Sequence, residues 1–203
     1  MMMDTIFDKL TWLDEKSNPF KMRCLDCRPF CRSMISTTKD PSVANLFVEL
    51  RKATGEQYIG QLPANVLTLK CNLTYPHYGQ DKDGTLFKAE VMEDKWDIYH
   101  YAGFLYFTRS WTGDLAFRAK IDFSESEANI TGIDADAEVA LQDNRFIVNQ
   151  VDFLVKSHLY KQEVPHPLPK DLPTDNQTIA LFSFSQYGRW ASFATYDDTS
   201  QFR

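Results

Sequence analysis

No run in this chain approaches the ~18 consecutive apolar residues of a membrane-spanning helix, so no such helix and no membrane partner are expected. Nor does MMMDTIFDKLTWLDEK set a basic stretch before an apolar one. Asp4 and Asp8 interrupt its apolar residues, so no secretory leader is expected there. The four histidines, His77, His100, His158 and His166, form no H-x3–5-H pair. The chain also lacks G-x-S-x-G, G-x-x-x-x-G-K-[ST], H-E-x-x-H and G-x-G-x-x-G, and with them the usual local signatures of hydrolases, P-loop proteins, zinc peptidases and dinucleotide-binding proteins. Positive charge is short too. Lys and Arg total 22 against 28 Asp and Glu, a net charge of −6. An acidic chain repels the phosphate backbone, so no nucleic-acid partner is expected.

What remains is an ordinary globular composition: 203 residues, 43% hydrophobic and 14% aromatic. A chain of this length can bury about 70% of its unfolded surface and needs no disulfide or metal to fold. The expectation is a single domain over residues 1–203 in the cytoplasm, with reduced thiols. The sequons at Asn72, Asn129 and Asn176 then carry no meaning.

Helical spacing of Ile6, Phe7, Leu10 and Leu13 behind Asp4 predicts a short first helix. Asp40 before Pro41, with Val43, Leu46, Phe47 and Leu50 as a stripe, predicts a second, although 46–50 also alternates like a strand. VLTLKCNL (66–73) alternates as a strand. KWDIYHY, FLYFTRSW and LAFRAKIDF (95–123) are aromatic and β-branched runs joined by Ala102-Gly103 and Thr112-Gly113, the pattern of a three-stranded meander. A long amphipathic helix is predicted over 144–161. The proline-rich stretch 163–173 is read as a connector to a C-terminal β-hairpin around Tyr187-Gly188. The class is therefore α+β, a mainly antiparallel sheet packed with two or three helices.

Cys24, Cys27 and Cys31 crowd into eight positions, and Cys71 is the only other cysteine. C-x2-C is half of a tetrahedral zinc site, yet no second local pair completes it. A thiol-redox pair wants a strand-to-helix turn in a βαβ unit, and CLDC is followed by Arg28-Pro29. The primary expectation is four ordinary thiols and no cofactor. A zinc or thiol-redox protein using these cysteines is the alternative. GQDKDGTLFKAE (79–90) fits a calcium-loop frame only partly, since Gly79 stands where the first ligand belongs. Asp134, Asp136 and Glu138 share one face if extended. They suit either acid–base work with a histidine, the mark of a hydrolase, or a solvated strand edge.

With two-residue turns, the meander sets Trp111 opposite Asp114, Phe107 opposite Arg118 and Leu105 opposite Lys120, with Trp96, Ile98 and His100 on the same face. Trp and Arg dominate binding hot spots. The predicted site is therefore an aromatic and basic sheet face of Trp96, Arg109, Trp111, Asp114 and Arg118, which binds a protein or small ligand without catalysis. Cover by the 144–161 helix is the competing reading.

Overall fold

A computed structural model describes residues 6–79 and 81–201. In chain order the strands are β1 (Trp12–Leu13), β2 (Cys24–Asp26), β3 (Val66–Pro76), β4 (Gly84–Phe87), β5 (Trp96–Tyr101), β6 (Phe104–Arg109), β7 (Leu115–Phe123), β8 (Glu127–Asp136), β9 (Pro165–Pro167) and β10 (Phe193–Thr195). The helices are α1 (Arg28–Cys31), α2 (Pro41–Lys52), α3 (Ala137–Gln142), α4 (Asn144–Leu154) and α5 (Asn176–Tyr187). The class is α+β, with two mostly antiparallel sheets. The chain divides into two compact units. The first comprises Met1–Ser36, Glu93–Lys95 and Asn149–Arg203, and the second Thr37–Met92 and Trp96–Val148.

The second unit is built on a six-stranded antiparallel sheet ordered β3-β8-β7-β6-β5-β4. Its meander follows the expected strands, because alternating aromatic and β-branched residues fit a pleated surface with one buried side. Trp96, Ile98, Leu105, Phe107, Phe117, Ala119, Ile130 and Ile133 all point to that side and are buried. On the opposite side, Tyr58, Tyr99, Tyr101 and Tyr106 cluster with Phe104 and Leu115. The segment 53–61 lies across these rings and is pinned by their hydroxyls: Tyr58 donates to the Gly113 carbonyl, Tyr101 to the Thr54 carbonyl, and Gly60 N–H donates to Tyr106. Gly55 (φ +94°) makes this approach possible, because a Cβ there would sit 2.3 Å from the Tyr99 ring. Asp40 caps α2 by accepting from Ser42 N–H, as its sequence predicts. At the far end of α2, Arg51 grips the buried Asp97 through two bonds of 2.8 Å.

The register departs from the sequence expectation at one turn. Residues 110–114 form a wider loop closed by Arg109 N–H to Asp114 O and Gly113 N–H to Arg109 O, and β7 bulges before Phe117. Phe107 therefore pairs with Phe117, Leu105 with Ala119 and Tyr106 with Arg118. A shift of one residue reverses the side to which every β7 side chain points. Arg118 and Lys120 thus lie on the sheet face opposite Trp96 and Phe107.

The first unit holds a four-stranded sheet ordered β1-β2-β10-β9, in which only β10 and β9 run parallel. The expected C-terminal hairpin is corrected here. TIALFSFSQ is helix α5, capped by Asp175, which accepts from Thr178 N–H. Its buried seam of Ile179, Ala180, Ser183 and Tyr187 has helical spacing, hidden in the sequence because Ser183 reads as polar. Only β10 remains extended, between β2 and β9. The prolines of β9 occupy a sheet edge, where a missing N–H costs least. The helix expected at the start is a 3-10 turn, Ile6–Lys9, followed by β1, and its proposed cap Asp4 lies outside the described residues. The cysteine stretch forms β2 and α1. The long helix is present as α4, continued by a π turn at Val155–Leu159.

The segment Glu93–Lys95 is tied firmly within the first unit. Asp94, fully buried, accepts from the Arg189 guanidinium and from Trp190 Nε1 at 2.8 Å. Lys95 reaches Ser36, and Glu93 O accepts from Arg189 N–H.

Candidate partner-binding face

Of the five residues of the sequence-predicted site, Trp96 and Arg109 meet, Trp111 and Asp114 lie in the loop that Arg109 closes, and Arg118 is turned to the other face. Trp96 is buried and stacks on Phe117, with ring centroids 5.7 Å apart. The Arg109 guanidinium lies 4.7 Å from the Trp96 ring. Trp111 is half-buried and donates through Nε1 to the Met92 carbonyl at 2.7 Å. Asp114 is exposed in the 110–114 loop. Arg118 faces the other way and holds the buried Asp134 at 2.8 Å through Nε and at 2.7 Å by a second guanidinium nitrogen, while Thr68 donates to the other carboxylate oxygen.

That other face leads to a different set. On β3, β8 and β7 the register aligns Lys70, Gly132 and Lys120 in one row across three strands, with Phe104 of β6 next in line. Two strand spacings put the lysine backbones roughly 10 Å apart. Both lysines are exposed, and among the described residues neither makes an ion pair. The neighbouring row is Thr68, Asp134, Arg118 and Tyr106. Arg118 leans on Phe104, its guanidinium 4.5 Å from the ring. Gly132 leaves backbone bare between the lysines, and sterics do not demand it, since a Cβ there would meet only ordinary contacts at 3.8 Å.

Two bulges coincide beside this row. Between β7 and β8 the extra residue is Thr131, and between β3 and β8 the register shifts across Cys71 and Asn72. Bulges bend a strand and re-aim side chains, and they concentrate near functional sites. Carboxylates bound the basic strip: Asp136 lies two positions beyond Asp134 along β8, and Asp122 two beyond Lys120 along β7. A narrow cationic stripe thus lies between acidic borders.

The acidic row does not persist as an extended edge. β8 lies inside the sheet, Asp134 is neutralised by Arg118, and the chain leaves the strand at Asp136, which caps α3 by accepting from Glu138 N–H. Glu138 therefore belongs to the helix.

Cys24, Cys27 and Cys31 are buried in the first unit, whereas Cys71 lies half-buried on β3 in the second. Burial pushes the Cys24 and Cys27 thiols up to about 12 and that of Cys71 up to about 11, and raises Cys31 as well. Such thiols hold their protons at neutral pH and make poor nucleophiles. Among the described residues, no group of three or more His, Cys, Asp or Glu side chains comes together to hold a metal, in the 79–90 loop or elsewhere. Asp83 in that loop instead accepts from Ala102 N–H. His166, fully buried, bonds Ser183 through Nε2 at 2.8 Å, with Cys27 Sγ 3.8 Å from the same hydroxyl. Mid-helix and sealed from solvent, this serine is in no position to act as a nucleophile.

Lys70 and Gly132 were not legible as site residues. Thr68 and Lys70 share a face through simple alternation, but their meeting with Gly132 and Lys120 depends on the strand pairing. Among the described residues, no helix is long and apolar enough to cross a membrane. No protein family, curated protein or solved structure matches this chain.

Proposed function

We propose that this chain is a non-catalytic binding protein of the cytoplasm that engages a carboxylate-bearing segment of a protein partner on the open β3–β8–β7 face. The observation that carries this reading is the row Lys70, Gly132, Lys120, whose two lysines are exposed and, among the described residues, without ion pairs, placed where two bulges bend the sheet. Phe104 extends it with an aromatic surface, on which the Arg118 guanidinium leans while paired to Asp134. The flanking Asp122 and Asp136, with the net charge of −6, disfavour nucleic acid.

The test is fluorescence anisotropy with a labelled heptapeptide of alternating Glu and Val. The wild-type protein is expected to bind it in a salt-sensitive manner, and Lys70→Glu/Lys120→Glu to bind at least tenfold more weakly. An oligothymidylate of similar length should not bind. Equal affinity of wild type and double variant, or preference for the oligonucleotide, would refute the reading.

A further inference from the structure

We propose that the partner segment docks as a seventh strand along the free edge of β3, and that Lys70 selects an acidic residue at the position beside it. This rests on the carboxylate-binding reading above and adds how the segment is held. β3 spans 11 residues and ends the sheet, pairing only with β8 among the described residues. From Val66 to Asn72 its residues are exposed or half-buried, with Val66 41% exposed. No proline interrupts 66–70, and alternate residues there turn their N–H and C=O to the free edge while the others bond β8. The opposite edge, β4, has only four residues, a common way of blunting an edge.

Chain pairing along such an edge is a general mode of peptide recognition: backbone bonds supply affinity, and alternate side chains supply selectivity. The register then fixes the chemistry. An added strand extends each cross-strand row by one position, so the row Lys120, Gly132, Lys70 would continue onto a partner side chain directly opposite Lys70. Opposite charges at such a position stabilise, and like charges destabilise. A second copy pairing antiparallel about a two-fold axis at Lys70 would set two lysines face to face, so Lys70 disfavours that register of self-pairing. The bulge at Cys71 and Asn72 ends the regular edge and limits the docked stretch to about five residues, 66–70.

The experiment uses the full chain and three peptides: alternating Glu and Val, the same peptide N-methylated at every residue, and alternating Lys and Val. N-methylation keeps the carboxylates and removes every N–H. The proposal expects at least a tenfold loss of affinity on N-methylation, slowed hydrogen exchange of the amides in 66–70 when the Glu–Val peptide is bound, and a swap in Lys70→Glu, which should lose the Glu–Val peptide and gain the Lys–Val one. Equal binding of the methylated and unmethylated peptides would overturn docking as a strand while leaving carboxylate binding on the face intact. Peptide binding that ignores the Lys70→Glu/Lys120→Glu double variant would overturn both. Protection of 66–70 that rises with protein concentration in the absence of peptide would show a second copy on the edge, and would overturn the proposal.

Discussion

Two histidines of the first unit should make its stability fall sharply in mild acid. His158 and His166 are fully buried, and desolvation lowers both to about 3 from an ordinary value of 6.5. For His158, Asp94 opposes that shift and Lys161 reinforces it. His166 packs against the rings of Phe153 and Tyr187, which also touch each other. Because the folded values are depressed, the unfolded chain takes up protons first as pH falls. The stability is therefore fully present above about 6.5 and is lost between there and about 3. Each group contributes a slope of about 1.4 kcal/mol per pH unit, so at pH 5 each has cost about 2 kcal/mol and the pair about 4. Carboxylates with ordinary values near 4 stay mostly ionised over that window. The assay is urea unfolding by circular dichroism at pH 7, 6 and 5, for wild type and His166→Phe. The variant leaves Ser183 without its imidazole partner and should lose about 1–3 kcal/mol at pH 7. Its slope with pH should nonetheless be shallower by about 1.4 kcal/mol per unit. Parallel slopes for the two proteins would refute the reasoning, because His166 would then not be a buried neutral base.

Three further outcomes follow from the same geometry. Asp97→Asn should cost about 3–5 kcal/mol of unfolding free energy in denaturant melts, because it strands the Arg51 guanidinium without its buried counter-charge. Thiol titration with an aromatic disulfide at pH 8 should find Cys24, Cys27 and Cys31 unreactive in the folded protein and all four cysteines reactive in denaturant, with Cys71→Ser removing the slow native reaction. Gly55→Ala should lower the melting temperature markedly, since its Cβ would enter the Tyr99 ring at a positive φ, whereas Gly132→Ala should leave it nearly unchanged.

The contrast between those two glycines also marks what the sequence made legible. Local signals held where one element decides its own conformation. Asp40-Pro41 opened α2, and the aromatic alternation of 96–123 placed β5, β6 and β7. The register between β6 and β7 was not local. It turned on the width of the 110–114 loop and the β7 bulge, and that single residue moved Arg118 from the side of Trp96 to that of Phe104. The helix α5 escaped for a related reason. Its phenylalanines favour strand by propensity, and the seam through Ser183 acquires meaning only beside His166. The basic row was least legible of all, because its members come from positions 70, 120 and 132 and only the completed sheet aligns them.

The most direct measurement is an amide chemical-shift map of the isotopically labelled protein during titration with the Glu–Val heptapeptide. Carboxylate binding on the open face predicts saturable shifts concentrated in 66–72, 118–122 and 130–134, and their absence in Lys70→Glu/Lys120→Glu. Saturable shifts that cluster elsewhere, or none at these positions with excess peptide, would contradict it.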